Sequence, residues 1–201
     1  MIELYILRHG QTEWNREDRI QGRQDSPLTE AGIEEIEKMA KTLAHLPFRS
    51  CYCSDLGRAK KTAEILRNDR KFPIIEVEAL RELPLGPWEG KLFSEIQDDP
   101  MCKIYFESPE AFGFSGTENF HDLYRKIESF LRHIETEETG PILVVAHGVS
   151  IRAMLNCMEG VSIENFWHRP IPESAGLSVA RYDEKRWEVL QTADKKDGVS
   201  Y

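Results

Sequence analysis

The chain has 201 residues, 40% of them hydrophobic and 30% charged. That length and balance fit one globular domain over 1–201 with a full core, and exclude a disordered chain. Lys and Arg total 26 against 35 Asp and Glu, a net charge of −9, which argues against a nucleic-acid-binding surface but leaves room for a local cluster of arginines on a small anion.

In chain order, Ile2–Leu7 is a nearly continuous apolar run, the pattern of a strand covered on both faces. Over 28–46, Ile33, Ile36, Met39, Ala40 and Leu43 recur at helical spacing, with Thr29 or Ser26 as N-cap. Arg49–Cys53 reads as a second strand, after which Ser54 or Asp55 caps a helix carrying Leu56, Ala59, Ala63 and Leu66. Cys51 and Cys53 fall on one face of that strand, and with Cys102 and Cys157 they read as reduced, buried thiols. Pro73–Val77 is a third strand. Residues 84–118 are irregular and aromatic-rich, a cap-like insertion with a short helix near Leu92–Gln97. Phe120, Leu123, Tyr124, Ile127, Leu131 and Ile134 mark a long amphipathic helix, which Gly140-Pro141 breaks. Ile142–Ala146 is a fourth apolar strand, followed by a helix over about Val149–Met158. The end reads as a hairpin, Leu177–Tyr182 and Trp187–Leu190 around a turn at Asp183–Arg186. Strands alternating with helices imply an α/β three-layer sandwich, its sheet mostly parallel with helices on both faces and an antiparallel edge. No apolar run reaches the ~20 residues of a membrane span. Met1-Ile2-Glu3-Leu4 has no basic leader, so a cytoplasmic location is expected.

The chemistry collects at strand ends. The first strand runs into Arg8-His9-Gly10 and the fourth into His147-Gly148. Ligands of open parallel sheets bind beyond the carboxyl ends of the strands, so both histidines land on the ligand edge. Arg58, just after the second strand, adds a guanidinium beside a helix N-terminus, and Arg8 adds another. Two such forks fit a phosphoryl group. Position alone fits Arg58 equally well as a surface salt bridge with Glu64 or Asp55. Glu82 lies beyond the third strand, as a general acid or as a solvated loop carboxylate. Among the aromatics Trp14, Phe93, Tyr105, Phe106, Phe112 and Phe114, one or two are expected to touch a leaving group, the rest being core. Lys91 and Arg81 are surface charges or readers of a second anionic group. His45, His121, His133 and His168 read as structural or surface residues.

The blocks Leu7–Asn15, Gln21-Gly22 with Asp25–Thr29, Ser54–Ala59 with Thr62–Glu64, Leu80–Glu82 with Gly86 and Trp88–Gly90, Gly116–Glu118 and Val145–Gly148 resemble the histidine phosphatase superfamily, in its phosphoglycerate mutase-like branch. The resemblance covers about residues 1–190 in order. It implies a phosphoglycerate mutase-like fold and a nucleophilic His9 that becomes a phosphohistidine, with Nδ1 held by a backbone carbonyl such as that of Gly10. It implies a phosphate pocket of Arg8, Arg58 and a cationic His147, with Asn15, Gln21, Gly22 and Gly148 completing substrate binding and Glu82 donating the proton. No metal and no cofactor is expected, and the partner is a small phosphorylated metabolite. The compact length is similar to phosphatase members such as alpha-ribazole phosphatase and broad-specificity phosphatases. The alternatives are a cofactor-dependent phosphoglycerate mutase and a non-catalytic module that binds phosphorylated ligands. Gln11 stands where many members carry Glu.

Overall fold

The computed structural model describes residues 1–194, and the rest of the domain expected over 1–201 lies outside the described residues. The strands are β1 (Ile2–Arg8), β2 (Cys51–Cys53), β3 (Ile74–Glu76), β4 (Gly140–Ala146), β5 (Leu177–Asp183) and β6 (Arg186–Gln191). The helices are α1 (Glu13–Arg16), α2 (Glu30–Thr42), α3 (Gly57–Arg67), α4 (Phe93–Ile96), α5 (Pro100–Glu107), α6 (Phe120–Glu137) and α7 (Gly148–Glu159).

The six strands form one sheet in the order β3-β2-β4-β1-β5-β6. Pairing is parallel from β3 through β1 and antiparallel at β5 and β6. The expected mostly parallel sheet with an antiparallel edge is therefore what the chain builds. Side chains alternate between faces, as the two-residue period of a strand requires. In β1, Ile2, Leu4 and Ile6 join the core that includes the buried side of α6 and α7, whereas Leu7 joins the core under α2 and α3. Ile142 and Val144 against Leu143 and Val145 repeat the split in β4. Burial on both faces is why these strands read as unbroken apolar runs rather than alternating ones.

Helix α6 buries Phe120, Leu123, Tyr124, Ile127, Phe130, Leu131 and Ile134 along one stripe. Its start is fixed by reciprocal bonds between Asn119 and Asp122, each backbone N–H donating to the other's side chain at 3.1 Å. Thr29 caps α2, its hydroxyl accepting from Gly32 N at 2.9 Å. The β5–β6 turn is two residues long, with Glu184 and Lys185 both at positive φ, the backbone that matches the twist of a tight hairpin. Cys51, Cys53 and Cys102 are buried and Cys157 is half-buried, all of them free thiols.

Two local expectations change. The N-cap of α3 is Leu56, not Ser54 or Asp55, and it makes no side-chain cap bond. The missing acceptor comes from a distant loop: Asp25 Oδ2 takes the N–H of Arg58 at 3.1 Å. Within the irregular segment, α5 was not expected, although Asp99 before Pro100 is a helix-start signal and Asp99 Oδ1 accepts from Met101 N at 2.9 Å.

Candidate active site

Strands β1, β2 and β4 run parallel and in register, so their carboxyl ends deliver Arg8-His9, the turn before Arg58, and His147 to one edge. The imidazoles of His9 and His147 lie with ring centroids 5.2 Å apart. His9 Nδ1 is 2.8 Å from the carbonyl of its own neighbour Gly10, and a carbonyl can only accept, so Nδ1 carries the proton. Nε2 is then a bare lone pair, and Arg58 Nε donates to it at 3.2 Å. Burial, then the charges of Arg58 and Arg8, push the His9 pKa well below its usual 6.5. The ring is neutral at neutral pH, as a nitrogen nucleophile must be.

Arg58 is fixed from several sides. Its guanidinium donates to the carbonyls of Gly22 at 2.8 Å and Gln24 at 2.7 Å, and to Asp25 Oδ1 at 2.9 Å. The surface pairing with Glu64 or Asp55 is not formed; Asp55 pairs with Arg81 instead. Arg8 donates to the carbonyl of Pro172 at 2.8 Å, while its Nε is buried with no hydrogen-bond partner among the described residues. Burial brings the Arg8 pKa down to about 10, so the group is still charged at pH 7. Both ring nitrogens of His147 are likewise buried and unpartnered among the described residues. Burial, Arg58, His9 and Arg8 all hold the His147 pKa well below 6.5, which disfavours the expected imidazolium in the protein alone. A phosphoryl dianion beside it acts in the opposite sense.

Glu82 sits on the N-terminus of α7. Its Oε2 accepts from Val149 N at 3.0 Å, and its Oε1 from Ser150 N and Leu83 N, each at 3.0 Å. Burial raises its pKa; the backbone N–H groups and the charges of Arg58 and Arg8 pull the other way without cancelling that rise. The anion-favouring ends of α3 and α7 are thus both occupied by carboxylates of the protein, Asp25 and Glu82. The remaining donors come from the side chains of Arg8, Arg58 and His147.

The other expected residues gather around this centre. Asn15 and Gln21 line the cavity, with Asn15 Oδ1 accepting from the Thr12 hydroxyl at 3.0 Å and Gln21 Nε2 donating to it at 2.8 Å. Gly22 adopts a positive φ of 52°, and a Cβ there would overlap Glu89 Oε1. Gly148 opens α7 beneath Ile171 and the Arg8 guanidinium, with room for a Cβ only at 3.0 Å from Ile171 Cδ1.

The cavity occupies about 650 Å³, mouth included. Much of its wall is apolar, with Ile20, Leu85, Ile96, Val149 and Ile171 in the lining. Of the aromatics weighed from sequence, Phe93, Tyr105 and Phe106 line it, whereas Phe112 and Phe114 pack against Trp88 and Trp14 lies outside the lining. Lining residues that sequence reasoning missed are Arg19, Ile20, Leu85, Trp88, Ile96, Cys102, Val149 and Ile171. Asp25, which anchors Arg58, was also missed as a site residue. Only Arg19 carried a visible signal, two positions before Gln21; the apolar ones look like any core residue. Arg81 is spent on Asp55 and Glu78. Lys91 is exposed. Among the described residues, no group of His, Cys, Asp and Glu is arranged to hold a metal ion.

A neutral, fixed imidazole facing two arginines and a buried carboxyl at the edge of an α/β sheet is a site for moving a phosphoryl group. The profile of the histidine phosphatase superfamily (branch 1) matches residues 4–195, and the chain belongs to that family. Phosphoserine phosphatase 1 of Hydrogenobacter thermophilus is 28% identical over 194 residues, spanning 95% of this chain and 92% of its own. Probable phosphoglycerate mutase GpmB of Salmonella choleraesuis is 28% identical, spanning 93% of this chain and 88% of its own. The solved structure of Bacillus stearothermophilus YhfR superposes with a TM-score of 0.88 at 33% identity, covering 94% of this chain and 96% of that one.

Proposed function

We propose that this protein is a phosphatase that hydrolyses a small phosphomonoester through a phosphohistidine on His9. The observation that carries this reading is the neutral His9 Nε2 set among buried Arg8, Arg58 and His147 nitrogens, several of which lack a partner among the described residues. Buried unpaired donors cost about 1–3 kcal/mol each, a cost a bound phosphoryl group removes.

In the first half-reaction His9 Nε2 attacks phosphorus and the bond to the leaving oxygen breaks. Arg8, Arg58, His147 and Asn15 take the charge spread over the equatorial oxygens. Protonated Glu82 gives its proton to the departing alkoxide, and its raised pKa keeps that proton available closer to neutral pH. In the second half, water attacks the phosphohistidine, Glu82 takes the water's proton, the P–N bond breaks and inorganic phosphate leaves. Gln21 and Gly22 close one side of the pocket, Gly22 by holding Arg58 through its carbonyl. Gly148 lets the start of α7 approach Arg8. Segment 84–118 caps the leaving group within the single domain. The protein acts in the cytoplasm on a phosphorylated metabolite.

The test is phosphate release from a panel of phosphomonoesters, with wild type and His9→Ala side by side. Release by wild type alone supports the reading. Release by neither, with phosphoglycerate isomerised instead, replaces it with a mutase. Neither activity, with phosphorylated ligands still bound, replaces it with a binding module.

A further inference from the structure

Arg152, on α7, has a side chain that water does not reach, 0% exposed. It is outside the lining of the cavity and so touches no substrate. Burying a guanidinium is costly, and a well-packed apolar residue of similar volume is often at least as stable. What Arg152 holds is therefore informative. Its Nη2 donates to the Pro170 carbonyl and pairs with Asp194 Oδ1, while Nε and Nη1 have no hydrogen-bond partner among the described residues.

Residue 152 lies four positions after Gly148, on the same face of α7. That face looks onto segment 170–172: a Cβ at Gly148 would stand 3.0 Å from Ile171 Cδ1 and 3.6 Å from Arg8 Cζ. The segment is pinned at each of its residues. Arg152 holds the Pro170 carbonyl, Ile171 lies against Gly148, and the Pro172 carbonyl accepts from Arg8 Nη1 at 2.8 Å. Both prolines have fixed φ, so little slack separates the two arginines. Behind the segment, Pro172 bridges to Asp194 and Glu173 N donates to the Ala193 carbonyl at 2.9 Å. Asp194 thus braces the segment twice, by its backbone at Pro172 and by its carboxylate through Arg152.

Among the described residues, the Pro172 carbonyl is the one hydrogen-bond partner of the Arg8 guanidinium, whereas Arg58 has Gly22, Gln24, Asp25 and His9. Where Arg8 points is therefore set by where that carbonyl lies. We propose that Arg152 is a positioning residue for phosphate binding: through Pro170 and Asp194 it fixes segment 170–172, whose Pro172 carbonyl aims Arg8 at the phosphoryl group. The inference rests on the phosphatase reading, in which Arg8 is a phosphate ligand. An Arg152 that merely stabilises the fold would weaken phosphate binding alike in any background. One that acts through Arg8 loses its effect when the Arg8 side chain is gone.

The experiment is a double-mutant cycle on the full chain. It is read by the binding of inorganic phosphate in phosphorus NMR titrations and by turnover of p-nitrophenyl phosphate, with thermal melts showing that each variant is folded. Arg152→Met is expected to weaken phosphate about tenfold in the wild-type background, and less than about twofold beside Arg8→Ala. If the Met variant does not fold, Asp194→Asn replaces it in the cycle, since the amide keeps an acceptor for Arg152 and drops the charge. That variant is expected to weaken phosphate about threefold, again without effect beside Arg8→Ala. An equal loss in both backgrounds, or no loss in the wild-type one, overturns the inference, while ester turnover by wild type leaves the phosphatase reading standing. Coupling between the two sites with no ester turnover by wild type overturns the phosphatase reading and leaves Arg152 as the positioner of a phosphate-binding arginine.

Discussion

Replacing Glu82 by Gln tests the division of labour most finely. The carboxylate accepts three backbone N–H bonds, from Leu83, Val149 and Ser150, each at 3.0 Å. An amide keeps one acceptor oxygen. If that oxygen stays at the Oε1 position, it retains Leu83 and Ser150, and the new NH2 then faces the N–H of Val149. Two donors in contact leave a buried amide unsatisfied, which costs about 1–3 kcal/mol of stability. The catalytic loss is larger. A positioned acid contributes about 10²–10⁴ in rate when the leaving oxygen must be protonated. The variant should therefore lose that much on an alkyl phosphate. On p-nitrophenyl phosphate, whose phenolate departs without a proton, the loss should stay within about tenfold. Steady-state kcat/KM on both esters reads the difference, and a thermal melt shows that the variant is folded at the assay temperature. Equal losses on the two esters would remove Glu82 from the acid role and make it a clamp on α7.

Gly22→Ala forces a Cβ onto Glu89 Oε1 and strains a backbone at φ 52°, so it should cost about 1–3 kcal/mol by denaturant unfolding and lower kcat/KM by displacing the carbonyl that holds Arg58. The depressed pKa of His147 has a sign that can be checked: its contribution to stability is complete above about pH 6.5 and is lost as pH falls, because the unfolded chain takes the proton first. The unfolding free energy of wild type should then fall faster between pH 6.5 and 5.5 than that of His147→Gln, by up to about 1 kcal/mol over that unit, and parallel curves would contradict the assignment. Because Arg8 and Arg58 supply the positive charge, phosphate release should be unchanged in excess chelator; a chelator-sensitive rate refutes the metal-free mechanism.

Much of this architecture was legible in the sequence because the same residues do two jobs. The apolar run Leu143–Ala146 marks a doubly covered strand, and the polar His147 and the glycine after it mark where that strand meets the ligand edge. The Nδ1 contact of His9 with the Gly10 carbonyl was foreseeable because the two are neighbours in the chain. Asp25 was not legible as the anchor of Arg58: the contact spans 33 residues and no local pattern encodes it. The lowered pKa of His147 was also hidden, since it follows from complete burial among Arg58, His9 and Arg8 rather than from residue type. The apolar part of the cavity wall was half visible. Aromatics in a long loop could be core or lining, and only the packing sends Phe112 and Phe114 to Trp88 while Phe93 and Phe106 face the cavity.

A covalent phosphate on His9 is tested most directly by rapid acid-free quenching of the enzyme during turnover of a phosphorus-labelled ester. The expected result is one acid-labile, base-stable label per site in wild type, mapped to the peptide carrying His9, and none in His9→Ala. A wild-type enzyme that releases phosphate with no label on that peptide, or a His9→Ala variant that keeps more than a few per cent of the rate, would contradict it.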